Sequence, residues 1–206
     1  MNLSDITKEI FKSIPDVIIP NSQDIAIIHK HKALLASYET ALVNGFYDTV
    51  YGDNNMRNYL TLAERKDREQ TLKQWYQITI AGNFDQHYWN WQVFVGMVHV
   101  KHNIPNVAML SMWGWMMNFF QENLLQDLKT SEAIKLLTVM QKIQAVVSSL
   151  TVESFIITTK EAIHLASGLN DNIQRRLVNV EINRLLDQGR KELMLSIEKE
   201  SQQIAA

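Results

Sequence analysis

Apolar residues recur at helical spacing through most of the chain, and the elements they predict are long and closely joined. Behind the cap signal Ser22-Gln23-Asp24, the residues Ile25, Ile28, Leu34, Leu35, Tyr38, Leu42 and Phe46 hold this spacing as far as Tyr51. The pattern predicts one long helix or two in tandem. Gly52-Asp53-Asn54-Asn55 breaks it, and Thr61 to Ile80 then forms a helix whose apolar side includes Leu62, Leu72, Trp75 and Ile78. Ala81-Gly82-Asn83 ends that helix. The next predicted helix runs from Asp85 to Lys101 and closes at Asn103-Ile104-Pro105. Proline disfavours helical geometry in the residue before it and suits the start of the next helix.

From Val107 to Leu125 the apolar residues lie on almost every face, with Met109, Met112, Trp113, Trp115, Met116, Met117, Phe119 and Phe120 crowded into a few turns. Such a helix is expected to bury more than one side. Ser131 to Leu150 is amphipathic again through Leu137, Met140, Ile143, Val147 and Leu150. Thr151 to Ala206 is more polar and is interrupted at Gly168 and Gly189. Its Ile173, Leu177, Val180 and Leu185 suit a helical hairpin or coiled coil. The expected organisation is an all-α chain: an N-terminal helical extension over 1–21, a main domain over 22–150 and a C-terminal helical tail over 151–206, a segment suited to signalling or dimerisation.

Composition narrows the function classes. The 206 residues suffice for one substantial core and not for two full domains. With 22 carboxylates against 20 Lys and Arg, no basic stripe marks a nucleic-acid surface. The chain has no cysteine, which removes disulfides, thiolate catalysis and cysteine-rich metal sites together. Met1 to Pro15 lacks the basic start and continuous apolar core of a secretory signal. The longest uncharged run, Asn103 to Gln121, carries Pro105, Asn106, Ser111 and Asn118 and falls short of a membrane span. A cytoplasmic protein without a membrane partner is expected.

Candidate chemistry rests on the histidines. His29 and His31 sit among lysines and are expected at the surface, and His164 lies in the tail. His87, His99 and His102 fall between Gln86 and His102, and His99 has the most apolar surroundings. Val95 and Gly96 precede it by one helical turn. A glycine there is expected to leave room for a flat, bulky ligand beside the imidazole. Haem needs a neutral imidazole on iron, a slot of apolar and aromatic side chains, and an opposite face whose polarity selects the chemistry. Phe46-Tyr47 offers a phenol for that opposite face, and Leu72 with the Met, Phe and Trp residues offers walls. A histidine on an apolar face can also be ordinary core. His99 and His102, three apart, could instead hold a zinc-like ion, although no carboxylate or thiol sits at matching spacing.

The order Phe46-Tyr47-Asp48, then Gln70 to Trp75, then Gly82-Asn83-Phe84-Asp85 with Tyr88, then Gly96-Met97-Val98-His99 through Ile104-Pro105, resembles the globin domain of globin-coupled sensors and protoglobins over about Asp24 to Leu150. The resemblance implies a globin fold around haem b, with His99 as the iron ligand and Tyr47 as hydrogen-bond donor to a diatomic ligand: O2, CO or NO. It also implies that Thr71 or Leu72 lies over the haem from the helix before the Gly-Asn turn. Arg68, one turn earlier, and Val107-Ala108-Met109 after the proline depart from the family pattern.

The resemblance further implies a homodimer through the last two globin helices, Val107 to Leu125 and Ser131 to Leu150, and a tail that carries a gas signal onward; the chain is then a standalone globin, a sensor acting on a separate output protein, or the sensory portion of a longer protein. The second side of the first of these helices needs burial, which a partner copy supplies; the alternative is a monomer whose tail folds over it. Two further readings belong to other classes. One is a haem-free globin-fold signalling module of the stressosome type, against which His99 and Gly96 speak. The other is a haem enzyme acting on nitric oxide or peroxide.

Overall fold

The computed structural model describes residues 2–204, with side chains described as far as Met194. Among the described residues there are nine α-helices and no strand, so the chain is all-α as expected. They are α1 (Leu3–Phe11), α2 (Ser22–Lys30), α3 (Lys32–Ser37), α4 (Glu39–Gly52), α5 (Arg65–Ala81), α6 (Gln86–Lys101), α7 (Asn106–Asp127), α8 (Thr130–Ser167) and α9 (Asp171–Ile204). The chain divides into two compact units, one ending at Thr158 and one beginning at Thr159.

In the first unit the helices start and stop where local chemistry dictates. Asn21 caps α2 by accepting from the Gln23 and Asp24 backbone amides at 2.9 and 3.1 Å, and the Asp24 carboxylate accepts from the Asn21 amide at 2.9 Å. This reciprocal capping box satisfies donors that the first helical turn leaves free. The stretch expected as one or two helices before Tyr51 is three, broken at His31 and Tyr38. His31 was expected at the surface; it is instead buried at the α2–α3 junction. Gly82 takes the left-handed conformation that ends α5, with φ 72°. His29 seals this end by hydrogen bonding its Nε2 to the Ala81 carbonyl at 2.9 Å.

The core joins all of these helices. Ile6 and Ile10 of α1 are buried in the same cluster as Leu35, Leu42, Tyr76, Val93, Phe120, Leu136 and Leu150, so the N-terminal helix packs with the main body. α8 runs without a break from Thr130 to Ser167, well past Leu150, and Thr151 and Ser154 are buried along it. One partly buried ion pair ties α2 to α8, with Lys142 Nζ 2.8 Å from Asp24 Oδ2.

In the second unit, Gly168 separates the end of α8 from α9 with φ 71°. Gly189 lies inside α9 and does not interrupt it. Ile173, Leu177, Val180 and Leu185 are exposed on this helix. Among the described residues no helix is long and apolar enough to cross a membrane.

Candidate functional site: an apolar cavity around His99

The helices of the first unit line a partly open cavity of about 270 Å³. Ordinary interiors rarely hold voids larger than a water molecule, so a space this size is a ligand site in form. Phe46, Tyr47 and Val50 of α4 line it, with Leu72 and Trp75 of α5, Val95, Val98 and His99 of α6, and Met109, Met112, Trp113 and Met116 of α7. Val147 and Thr151 of α8 complete the wall, and Met56, Tyr59 and Leu60 line it from the α4–α5 connection.

His99 is held by the way α6 ends. Asn103 adopts φ 52°, the left-handed conformation that asparagine tolerates better than most residues. Its amide bonds to the Val100 carbonyl at 3.1 Å, and the Ile104 amide returns to the His99 carbonyl at 3.0 Å. This Schellman closure anchors the backbone of His99 itself. On the same face, Gln92 and Val95 precede His99 by seven and four residues, so they share one stripe along α6.

Burial, then the positive charge of Arg68, then His102, push the His99 imidazole down to about 4, so it is neutral at physiological pH. A neutral imidazole is the form that binds a metal. Its Nδ1 is buried with no hydrogen-bond partner. A core histidine normally satisfies such an atom, and an orphan here marks a group built for something further. Among the described residues no cluster of three or more His, Cys, Asp or Glu side chains could hold a metal ion by protein donors alone. An iron carried in by a macrocycle needs only one protein nitrogen. The apolar walls, the aromatic surroundings and the single neutral imidazole therefore fit haem.

Tyr47 reaches the cavity from α4 and is 7% exposed. Its hydroxyl donates to the Arg68 carbonyl at 2.9 Å, and burial pushes the phenol well above its ordinary range. The group is thus a proton-bearing donor at any physiological pH. Phe46 packs edge-on to Tyr47 at 5.1 Å and to Trp115 at 6.0 Å, which holds the Tyr47 ring in place. Thr71 and Leu72 both line the cavity, but the Thr71 hydroxyl donates to the Asp67 carbonyl at 2.9 Å.

Gly96 has a different place from the one expected. It does not line the cavity; it faces α8, where a Cβ would overlap Ser154 Oγ and the Thr151 carbonyl oxygen. The glycine brings α6 and α8 into backbone contact and so sets the position of His99 indirectly. Gln92 was not anticipated at all. It is fully buried, accepts from the Trp75 indole at 3.0 Å and donates to the Tyr88 carbonyl at 3.2 Å. An amide on the same helical face as the key histidine, two turns before it, is the available signal.

Comparison with known proteins identifies the family and the fold. The protoglobin family model matches residues 9–161, and the chain belongs to that family. The globin domain of the Geobacter sulfurreducens globin-coupled sensor aligns with a TM-score of 0.60 at 16% identity, covering 75% of this chain and 98% of that one. The globin domain of E. coli DosC, in its ferric form, aligns with a TM-score of 0.55 at 11% identity, covering 73% of this chain and 97% of that one. At such identities the likeness establishes a globin fold of the sensor type. No match is found among curated proteins.

Proposed function

We propose that this chain is a haem-binding sensor globin that takes up a diatomic gas, O2, CO or NO, through a b-type haem held by His99. The observation that carries the proposal is the neutral, buried His99 imidazole with an unpartnered nitrogen in an apolar cavity. When bound, haem supplies an iron with a coordination position open to a small gas. His99 would hold the iron, and Val95, Leu72 and Phe46 would flank the macrocycle and exclude water. Tyr47 would offer its hydroxyl to the gas by exchanging its bond to the Arg68 carbonyl, which keeps its place in the α5 ladder. Because that carbonyl belongs to α5, the exchange links the gas to the position of a helix, as a sensor requires.

The signal would leave through α7 and α8 in a homodimer, and through the tail to a separate output protein. Val107, Leu110 and Leu125 of α7 and Ile134 of α8 are exposed apolar side chains that support such pairing. The test is the absorption spectrum of the purified protein, ferric, ferrous and ferrous with CO, beside His99→Ala. A strong Soret band in the wild type that is lost or displaced in the variant is expected. Failure of the wild type to bind haem in excess would overturn the proposal.

A further inference from the structure

Among the residues that line the cavity, Arg68 alone carries a permanent charge, in a wall that is otherwise apolar or neutral at physiological pH. A guanidinium facing such a space needs an acceptor, and those it has are incomplete. Its Nη2 lies 3.1 Å from Glu64 Oε1 and 3.1 and 3.3 Å from Nε2 and Nδ1 of His102. Glu64 is only partly buried and is already occupied: its other carboxylate oxygen accepts from the Thr61 amide and hydroxyl at 3.1 and 2.8 Å. His102 brings a second potential N–H donor rather than a negative charge. All three contacts run through one nitrogen of a fork that has five N–H donors, which leaves the rest of the fork for another acceptor.

The position of this pair is specific. His102 caps the C-terminus of α6, three residues and roughly 4.5 Å along the axis beyond His99. Arg68 comes from α5 on the facing wall. Arg68 lines the cavity, and His102, outside the lining, holds its Nη2 there, offset along the chain from the imidazole that would take the metal. Haem has the matching asymmetry, an apolar macrocycle with two carboxylates on one edge. Resting on the function proposed above, we infer that Arg68, with His102 beside it, is the anchor for a haem carboxylate. Arg68 suits this role because its planar fork pairs with a carboxylate through two parallel bonds, which a lysine cannot reproduce.

The test uses the full chain, stripped of haem and refilled with either ferric protoporphyrin IX or its dimethyl ester, whose carboxylates are blocked. Release to an excess of a high-affinity haem scavenger is followed by the Soret band. With the free acid, Arg68→Ala is expected to release haem about tenfold faster than the wild type, and Arg68→Lys to fall between them. With the ester, wild type and Arg68→Ala should release at the same rate. Equal rates with the free acid, or a difference that persists with the ester, would overturn the anchor. Circular dichroism of the haem-free forms establishes that each variant folds; if Arg68→Ala does not, Arg68→Gln replaces it under the same expectations. A wild type that takes up neither porphyrin overturns the haem reading itself, an outcome distinct from loss of the anchor alone.

Discussion

Alanine at position 96 and alanine at position 52 should change stability in opposite directions. A helical glycine replaced by alanine ordinarily stabilises a protein by about 0.4–1 kcal/mol, because the unfolded chain loses freedom. Gly52 closes α4 with nothing within 4 Å of a Cβ built there, and Gly52→Ala should show that ordinary gain. At Gly96 the added methyl would overlap Ser154 Oγ and the Thr151 carbonyl oxygen, and would meet the Phe155 amide nitrogen at 3.2 Å. A hydroxyl can rotate, but the backbone of a long helix cannot. α6 must therefore move away from α8, at an overpacking cost of about 1–3 kcal/mol that outweighs the propensity gain. With a net loss of about 1 kcal/mol, a unit of this size should melt roughly 2–4 °C lower. Ser154→Ala in the same background should recover only part of the loss, since the Thr151 carbonyl remains. Thermal unfolding of the haem-free protein by circular dichroism measures all three variants and the wild type. A Gly96→Ala melting temperature at or above that of the wild type would refute the close approach of α6 to α8.

Three further outcomes follow from named contacts. Tyr47→Phe removes a buried donor and should raise the O2 dissociation rate of the ferrous protein about tenfold while changing CO release much less, because CO is the poorer acceptor; equal O2 rates in stopped flow would remove Tyr47 from the gas site. Lys142→Ala removes the cation paired with Asp24, whose side chain is 11% exposed, and should cost about 2 kcal/mol in urea unfolding; Asp24→Asn added to it should recover part of that loss. In the haem-free protein His99 titrates near 4 rather than at its ordinary 6.5, so between these values the unfolded chain binds more protons than the folded one. Stability should therefore fall as pH drops from 6.5 to 4, by on the order of 3 kcal/mol, and His99→Leu should flatten that slope.

What could be read from the residues was mostly local. The left-handed stop at Gly82, the closure of α6 at Asn103-Ile104-Pro105 and the apolar setting of His99 each depend on neighbours in sequence, and each is where the pattern put it. Features set by distant partners were harder to see. Gly96 invited a local explanation as space beside His99, whereas the atoms that require it, on Ser154 and Thr151, lie more than fifty residues away. They sit on the part of α8 beyond Leu150, where polar residues suggested that the main helix had ended. The contact of Arg68 with His102 likewise crosses 34 residues and joins α5 to the C-terminal cap of α6, so neither residue alone announces it. The breaks at His31 and Tyr38 leave no mark in the pattern because the apolar spacing continues across them.

The most direct test of the central claim is replacement of His99 by the smallest residue, with the missing ring returned from solution. His99→Gly removes the imidazole, so the variant should lose the wild-type ferrous spectrum. Imidazole added at millimolar concentration should restore it, because the ring needs only to occupy the space that the side chain filled. Recovery of the wild-type ferrous band on adding imidazole, and its absence with a bulkier non-coordinating ring, is the predicted result. A His99→Gly protein whose haem spectrum matches the wild type without imidazole would contradict the account, because another residue would then hold the iron.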